Sequence, residues 1–331
     1  MTKKYLVIGG LGFVGKNLVR HLRKNGHFLT IIDKKDPDSQ DKEFLESLKI
    51  NFFKGDVLHP DPIRANISEH NYDGVFHLAS FVGIRNYLSN PAGVIETTIL
   101  GTLNIAKACY ENGIHMLFTS TSEVLGRNPS VPWKENADRI YGSTDVERWS
   151  YGSSKGVAEQ LILGLVKEKN LSATIIRFFN VYGDFQSPIF VVPKTLSNCM
   201  NNIEPLVYDA GTQTRCFTYV QDAVGALEVL MEQKKNGIYH IGSNFEHTMM
   251  EAVECIIKNT NSSLKPRKVS TEEMYGSSYE DINRRVPDVN KIKKEIGWIA
   301  TTPLDKGVKR TVEWVKKNKW WLEVDSSVSV N

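Results

Sequence analysis

Strand-like and helix-like patterns alternate through the first half of the chain, and this alternation constrains the fold more than any other feature. Short runs rich in β-branched and aromatic residues occur at 6–9, 28–33, 51–56, 74–78, 115–120 and 173–178. Between them, apolar residues have helical spacing at 12–24, 44–48, 62–70, 91–112 and 151–170. This pattern predicts an α/β fold whose doubly wound parallel sheet is covered by helices on both faces. We expect a ligand site at the carboxyl ends of its strands.

The chain divides near residue 183. Its 331 residues suffice for two domains. We assign 1–183 to the first α/β domain, with a return near 236–243, and 184–323 mainly to a smaller C-terminal α/β lobe. The last residues, 324–331, are small and polar and are predicted to form a frayed tail.

Composition argues against several classes of function. Lys and Arg exceed Asp and Glu by only 41 − 38 = 3, which does not predict a nucleic-acid or membrane surface. The four cysteines are far apart, so neither a metal site nor a disulfide framework is expected. No segment approaches the roughly 18–20 apolar residues of a membrane span, and no signal peptide is recognised. We therefore expect a cytoplasmic protein without a nucleic-acid or membrane partner.

Four glycines follow the first predicted strand and open the first predicted helix. They fit the pattern Gly10-x-Gly12-x-x-Gly15, preceded by Gly9. At such a turn a pyrophosphate approaches the N–H groups of a helix N-terminus, where a Cβ would obstruct it. Tight turns without a ligand are the alternative interpretation. The order strand, turn, helix favours a Rossmann dinucleotide site that uses Gly9, Gly12, Phe13, Val14 and Gly15.

Two acidic residues follow later strands. Asp33 ends the second strand, 33 − 15 = 18 residues after the last glycine. A carboxylate there accepts hydrogen bonds from the adenosine ribose and repels a 2′-phosphate, which favours NAD over NADP; Lys34 and Lys35 moderate this preference. Asp56 and Val57 end the third strand, where an adenine ring is expected, although Asp56 could instead cap a helix.

Tyr151 and Lys155 open the predicted helix at 151–170 as Tyr-x-x-x-Lys. Their spacing places both side chains on one face of the helix. A neighbouring ammonium group and an oxidised nicotinamide both favour a phenolate, so we expect the pKa of Tyr151 to fall into the range of a general base. The same pair could be an ordinary exposed one, but it follows a nucleotide-binding pattern.

The sequence resembles the extended short-chain dehydrogenase/reductases that modify nucleotide sugars. The resemblance implies an NAD-binding Rossmann domain, with Leu78, Ala79 and Ser80 at the cofactor, and a C-terminal lobe that holds a nucleoside diphosphate. In such enzymes the tyrosine removes a proton from a sugar hydroxyl, usually at C4, while hydride passes to NAD. The segments that carry the resemblance are GGLGFVG at 9–15, HLAS at 77–80, TSTSEVLG at 119–126, YGSSK at 151–155, RFFNVYG at 177–183, TRCFTYVQD at 214–222 and YEDINRRVPD at 279–288.

Thr121-Ser122-Glu123 resembles the Thr-Ser-Glu of UDP-glucuronate decarboxylases such as UDP-xylose synthase. Sugar 4,6-dehydratases have Thr-Asp-Glu there, and Ser122 cannot replace that acid. The resemblance implies that Thr121 and Ser122 position the sugar and that Glu123 acts near C5 and C6. It also matches Arg285 to an arginine that reaches the carboxylate end of the sugar or protonates C5. A phosphate-binding or surface role is the alternative for Arg285.

The nucleotide sugar is expected to contact Val82, Gly83, Asn180, Arg215 and Arg285. The resemblance places Asn180 in a loop at the sugar diphosphate and Arg215 at the phosphates, where a guanidinium fork suits a diphosphate. The segment 126–150 is expected to be a loop over the sugar pocket. Pairing of the helices at 91–112 and 151–170 across two subunits would give the homodimer that is usual in the family.

Three functions remain open from the sequence. The leading hypothesis is a UDP-glucuronate decarboxylase. A 4-epimerase of a UDP-sugar or UDP-uronate needs nearly the same residues. A nucleotide-binding member without catalysis is the third, since fold alone does not establish activity.

Overall fold

The computed structural model describes residues 1–272 and 282–324. Its strands are β1 Lys4–Ile8, β2 Phe28–Asp33, β3 Asn51–Lys54, β4 Gly74–His77, β5 His115–Thr121, β6 Ala173–Phe178, β7 Val181–Tyr182, β8 Leu206–Tyr208, β9 Thr214–Cys216, β10 Thr218–Tyr219, β11 Gly237–Ile241, β12 Glu246–Thr248, β13 Arg267–Val269 and β14 Arg284–Arg285. Its α-helices are α1 Phe13–Lys24, α2 Ser39–Leu48, α3 Asp61–His70, α4 Ile84–Ser89, α5 Pro91–Glu111, α6 Trp149–Lys169, α7 Val191–Met200, α8 Val220–Glu232, α9 Met249–Thr260, α10 Asn290–Ile296 and α11 Leu304–Lys317. Short 3-10 helices lie at Ser122–Leu125 and Lys319–Glu323.

A seven-stranded parallel sheet forms the centre of the molecule. Its strand order is β11-β6-β5-β4-β1-β2-β3. The order reverses beside β1, because β2 lies on one side of it and β4 on the other. The predicted doubly wound α/β fold is therefore confirmed. In such a sheet the crevice at the reversal is the expected ligand site.

Apolar side chains pack on both faces of this sheet. On one face Leu18 and Leu22 of α1 pack with Val224 and Leu227 of α8. On the other face the buried cluster draws on α3, α5 and α6 and includes Ile63, Ile105 and Ile162. Burial on both sides explains why the strands read as continuous apolar runs.

Two elements that follow residue 183 pack with the first α/β domain. Strand β11 pairs with β6 at the edge of the sheet, within the segment 236–243 that the sequence marked. Helix α8, which precedes it, also packs on the first domain through Ala223 and Val224. Helices α7, α9 and α11 contribute to a separate core around Tyr182, Leu196 and Val308.

Helix α2 begins earlier than predicted, and helix α4 was not predicted. Helix α2 begins at Ser39 rather than near residue 44, because Asp38 and Asp41 form a capping box that satisfies the first N–H groups. Helix α4 is short and follows Gly83, whose φ of 106° requires a residue without a Cβ.

Candidate active site

A cavity of about 930 Å³ opens at the carboxyl ends of β1, β4 and β5 and extends between the sheet and the C-terminal lobe. Its volume lies at the upper end of small-molecule sites. The structure brings to its wall every residue that the sequence selected, namely Gly9, Gly12, Phe13, Val14, Gly15, Asp33, Asp56, Val57, Leu78, Ala79, Ser80, Val82, Gly83, Thr121, Ser122, Glu123, Tyr151, Lys155, Asn180, Arg215 and Arg285.

The glycine turn is packed so closely that side chains cannot be accommodated at two of its positions. A Cβ on Gly9, whose φ is 81°, would lie 2.6 Å from the backbone nitrogen of Ala79. A Cβ on Gly15 would lie 2.5 Å from the carbonyl oxygen of Gly9. In the described chain no side chain caps α1 at Gly12, so the positive end of this helix is available to an anion. These features fit a dinucleotide pyrophosphate.

Asp33 lies at the end of β2 and accepts hydrogen bonds from the backbone N–H groups of Leu11 at 3.0 Å and Lys35 at 3.2 Å. Burial raises the pKa of Asp33. The ammonium group of Lys35 lies 2.8 Å from carboxylate oxygens of both Asp38 and Asp41. Two acidic partners therefore neutralise Lys35, although the sequence had suggested that this lysine moderates the preference for NAD.

Asp56 does not cap a helix, which corrects the alternative interpretation of this residue. Its carboxylate accepts the backbone N–H of Leu58 at 2.9 Å and so closes a turn. Helix α3 begins later, after Pro60. Val57 is buried, and its carbonyl oxygen accepts a hydrogen bond from the Asn104 side chain at 2.8 Å.

The phenol of Tyr151 is buried at the cavity wall. Its ring stacks on Tyr87, with the ring centroids 4.7 Å apart. Burial and the charge of Glu123 raise the pKa of Tyr151. Hydrogen bonds with Ser80 and Thr121 oppose this rise. The Thr121 hydroxyl, which the family resemblance associates with the sugar, and the Ser80 hydroxyl, which it associates with the cofactor, therefore both contact the phenol.

Lys155 is hydrogen-bonded to strand β5. Its Nζ donates a hydrogen bond to the carbonyl oxygen of Thr119 at 2.7 Å and lies 4.5 Å from the ring centroid of Phe118. Burial lowers the pKa of Lys155 to about 7. In the protein's own groups the pKa of Tyr151 is raised and the buried ammonium group of Lys155 is directed to a strand carbonyl. The fall in this pKa that is expected with an oxidised nicotinamide beside the phenol stays a prediction.

Glu123 is held between two guanidinium groups. Its carboxylate forms ion pairs with Arg148 and, at 3.1 Å, with Arg285. Burial alone would raise the pKa of Glu123, but the charges and hydrogen bonds of the two arginines lower it to about 2. Glu123 is therefore a permanent carboxylate near neutral pH and has no proton to donate.

Two further predicted contacts lie on the lobe side of the cavity. Asn180 adopts a left-handed conformation with φ of 40°, and its Nδ2 is buried without a hydrogen-bond partner in the described chain. Arg215 is buried, and its Nη1 donates to the carbonyl oxygens of Thr214 at 2.8 Å and Asn283 at 3.3 Å. The buried Asn180 amide without a partner is suited to binding a polar ligand.

Sequence reasoning missed Arg148 and Tyr87. Arg148 lies three residues before Tyr151 and therefore on the same helical face, which is the signal that could have identified it. The segment 126–150 was expected to cover the sugar pocket, but Arg148 is its one member among the described residues that line the cavity. Trp133 of this segment instead packs in a separate buried cluster with Phe179 and Ile282.

Parts of two predictions lie outside the described residues. Positions 279–281 begin the segment YEDINRRVPD, which carries part of the family resemblance, and 325–331 make up most of the predicted tail. Within the described ranges, no helix has the length and apolar character needed to cross a membrane.

One group of potential metal ligands lies away from the cavity, at His27, Glu228 and Glu232. The backbone N–H of Lys3 donates to Nδ1 of His27 at 3.1 Å, so the imidazole proton is on Nε2. Nε2 lies 3.1 Å from Glu228 and donates to that carboxylate. A metal-bound histidine donates through its other nitrogen, so this arrangement is a hydrogen-bonded cluster.

A Rossmann-type sheet with a glycine turn and a buried Tyr-x-x-x-Lys pair at one cavity defines a nucleotide-dependent dehydrogenase-type enzyme. The chain belongs to the NAD dependent epimerase/dehydratase family, whose model matches residues 5–242. The resemblance found in the sequence is confirmed, and NAD is the cofactor of this family.

The chain is similar to individual enzymes that act on UDP-linked sugars. The chain is 36% identical to the UDP-N-acetyl-alpha-D-glucosaminuronate decarboxylase of Bacillus cytotoxicus, over 96% of this chain and 99% of that protein. It is 30% identical to UDP-glucuronic acid decarboxylase 1 of Arabidopsis thaliana, over 93% of this chain and 69% of that protein. Among solved structures, the UDP-glucose 4-epimerase of Thermotoga maritima with UDP-glucose superimposes with a TM-score of 0.86 at 26% identity, covering 96% of this chain and 99% of that one.

Proposed function

We propose that this protein decarboxylates a UDP-linked uronic acid through transient oxidation at C4 of the sugar. The observation that carries this proposal is the pairing of Glu123 with both Arg148 and Arg285 beside Tyr151. Two guanidinium groups and one carboxylate leave a net charge of +1 in a buried part of the cavity. A second carboxylate, supplied by the substrate, would neutralise it. The similarity to UDP-uronate decarboxylases supports the same function.

The cofactor and the sugar would occupy different parts of the cavity. In this proposal residues 1–183 hold NAD through the glycine turn and Asp33, while the lobe formed mainly by 184–323 holds the UDP portion through Asn180 and Arg215. NAD, when bound, supplies a hydride acceptor at C4 of the sugar and later returns the hydride. The remaining steps depend on the protein's own side chains.

Tyr151 takes the proton of the C4 hydroxyl in the proposed reaction. Its phenol already exchanges hydrogen bonds with Ser80 and Thr121, so a substrate oxygen entering this group finds donors and acceptors in place. Burial raises the pKa of the free phenol, and a positively charged nicotinamide ring bound beside it would offset that rise. Lys155 contributes by fixing the end of β5 through Thr119.

Arg285 orients the carboxylate of the sugar. Its Nε is buried without a hydrogen-bond partner in the described chain, and its Nη1 makes one contact with Glu123. Oxidation at C4 makes the uronic acid a β-keto acid, and breaking the C5–C6 bond releases CO2 and leaves the electron pair on an enolate oxygen at C4. Hydroxyl donors from Thr121 and Tyr151 stabilise that oxyanion. The enolate then takes a proton from water at C5 and becomes the 4-ketone that is reduced.

Incubation with two substrates tests the proposal. UDP-glucuronate and UDP-N-acetylglucosaminuronate are each incubated with the protein, and the nucleotide products are identified by mass spectrometry. Loss of one CO2 from either substrate is expected, and the variant Tyr151→Phe should abolish it. Intact substrate from both incubations would overturn the proposal. Turnover by Tyr151→Phe equal to that of the natural protein would overturn the role of the phenol.

A 4-epimerase is the second candidate, since a solved UDP-glucose 4-epimerase has the same fold at 26% identity. In the 4-epimerisation of a UDP-uronate the 4-ketone would accept hydride on its opposite face, and the sugar would keep its carboxylate. The product would have an unchanged mass and a different retention time, so the same incubation separates the two functions.

We also propose a homodimer formed by α5 and α6. These two helices pack against each other on one side of the sheet. They carry large apolar residues that are at least 40% exposed in the single chain, namely Ile95, Leu100, Val157 and Leu163. A second copy of the same helix pair would cover these side chains in a four-helix bundle.

A further inference from the structure

We propose that Arg148 is a positioning residue, the fixed counter-ion of Glu123, which leaves Arg285 able to turn its guanidinium group to the carboxylate of the substrate. This inference rests on the proposed decarboxylation. It assigns different tasks to two arginines that both contact Glu123 in the structure.

The two arginines differ in how firmly they are held. The Arg148 side chain is 1% exposed, and its guanidinium group lies over the ring of Trp149 at 5.6 Å from the centroid. The Arg285 side chain is 12% exposed and lies on β14, a strand of only two residues. Arg148 therefore costs more to move, because its guanidinium group is more deeply buried and a buried charge that loses its carboxylate partner is strongly destabilised.

Backbone packing fixes Arg148 beside Glu123. Helix α6 approaches the 3-10 helix at Ser122–Leu125 so closely that a Cβ on Gly152 would lie 2.6 Å from the carbonyl oxygen of Glu123. Arg148 lies one turn before Gly152 on the same helix. The ion pair therefore joins two backbone segments that are already in contact, and it does not depend on a flexible loop.

Arg285 retains unused hydrogen-bonding capacity. Its Nη1 contacts Glu123 at 3.1 Å, while its buried Nε has no partner in the described chain. A guanidinium group binds a carboxylate best through two parallel N–H donors. A substrate carboxylate that replaced Glu123 on Arg285 would gain such a pair, and Glu123 would keep Arg148.

Removing either arginine should change the protonation of Glu123. Ionisable groups that act electrostatically with Glu123 come from α6, β14, α4 and the segment before α6, namely Arg148, Tyr151, Arg285, Tyr87 and Tyr141. The arginines are the only cations in this set, since the other members are neutral phenols. With one arginine lost, burial dominates and the pKa of Glu123 rises.

The experiment compares Arg148→Met, Arg148→Lys and Arg285→Met in the full-length protein. We first confirm that the natural protein releases CO2, because failure at that step concerns the proposed function and not Arg148. Binding of UDP-glucuronate is measured by calorimetry, and kcat is measured from pH 5 to 8. Circular dichroism verifies folding, and Arg139→Met, a substitution of an exposed arginine in the same segment, is the control.

We expect Arg285→Met to weaken binding by about ten-fold or more, because it removes the charged partner of the substrate. Arg148→Met should change binding by less than about three-fold but lower kcat about ten-fold or more at low pH, where Glu123 becomes protonated. Arg148→Lys should restore a flat profile. Adding Glu123→Gln should remove the pH dependence of Arg148→Met.

Two results would overturn the inference. The first is a kcat profile for Arg148→Met that remains parallel to that of the natural protein. The second is a loss of binding in Arg148→Met as large as that in Arg285→Met, since both arginines would then contact the substrate in the same way. If Arg148→Met does not fold, Arg148→Lys is used in its place, and its binding of UDP-glucuronate is measured across the same pH range. Binding that is lost as the pH changes would contradict a fixed counter-ion.

Discussion

The ring of Tyr87 lies flat against the ring of Tyr151, with an angle of 6° between the two planes. Tyr87 is buried, and its hydroxyl oxygen accepts the backbone N–H of Gly83 at 3.0 Å. The proposed general base is therefore held from the side by a second phenol that is itself anchored to the backbone. Helix α4, which sequence reasoning did not predict, delivers this ring.

Removing the stacked ring should reduce catalysis more than removing its hydroxyl group. Tyr87→Phe keeps the stack, and we expect kcat to change by less than about three-fold. Tyr87→Ala loses a stacking interaction of about 0.5–1.5 kcal/mol and leaves a cavity, so kcat should fall about ten-fold and the melting temperature should fall as well. Equal kcat values for the two variants would show that the ring does not hold Tyr151.

Gly152 is required where α6 meets the 3-10 helix. Because a Cβ would lie 2.6 Å from the Glu123 carbonyl oxygen, Gly152→Ala should displace the helix, lower the melting temperature and reduce kcat. The matched control is Gly225→Ala on α8, where a Cβ meets nothing within 4 Å. That substitution should stabilise the protein by about 0.5–1 kcal/mol. Thermal melts of both variants test the contrast, and a stabilised Gly152→Ala would contradict it.

Asp33 should determine the preference between NAD and NADP. In Asp33→Asn the carboxylate that repels a 2′-phosphate is lost, so we expect weaker NAD binding and a preference for NAD over NADP that falls about ten-fold. Asp36→Asn is the control, because Asp36 is exposed and pairs with Lys54. Fluorescence titration with both cofactors measures the ratio. An unchanged ratio in Asp33→Asn would remove Asp33 from the ribose site.

The buried ammonium group of Lys155 should make stability depend on pH. Burial lowers its pKa to about 7, whereas a lysine in the unfolded chain titrates near about 10.4. Between these values the unfolded state binds the extra proton, so the free energy of unfolding contributed by this group rises with pH. Denaturant titrations of the natural protein and Lys155→Met should give a difference, natural minus variant, that increases from pH 7 to 10. A constant or decreasing difference would contradict this assignment.

If the protein is a dimer through α5 and α6, a charged residue on the exposed face of α6 should lower its mass in solution from that of a dimer to that of a monomer. Leu163→Asp introduces a carboxylate into an exposed apolar position, and we expect a monomer by light scattering. Ile299→Asp is the control, since Ile299 is similarly exposed but lies outside α5 and α6. A natural protein that is already monomeric, or a dimeric Leu163→Asp, would contradict the proposal.

Sequence patterns predicted the parts of the site that depend on strand order. Gly12 and Asp33 could be placed together because the carboxyl ends of parallel strands meet at one edge of the sheet, whereas Thr121 was selected from the family resemblance. The start of α2 was not predicted, although Asp38 and Asp41 have the spacing of a capping box that could have identified it. Both signals are local or follow from a general rule of topology.

The remaining features depend on packing that no local pattern specifies. Lys155 has the predicted helical spacing from Tyr151, yet its ammonium group turns to Thr119 because a buried cation needs a hydrogen-bond acceptor. Arg148 was overlooked because Glu123, with which it forms an ion pair, is 25 residues away in sequence. Helix α8 joins the first domain because its apolar face fits α1, which the alternation pattern alone could not establish.

Trp133 donates its backbone N–H to Val286 and accepts that of Asp288, at 2.8 and 2.7 Å. The segment that leads to Arg148 is thereby joined to the strand that carries Arg285. To introduce this pair of arginines into a related protein, the segment around Trp133 and the segment around Arg285 must be exchanged together, because each needs the backbone hydrogen bonds of the other for its alignment. For the same reason, natural exchange of carboxylate recognition between relatives would require paired changes at two distant places in a gene.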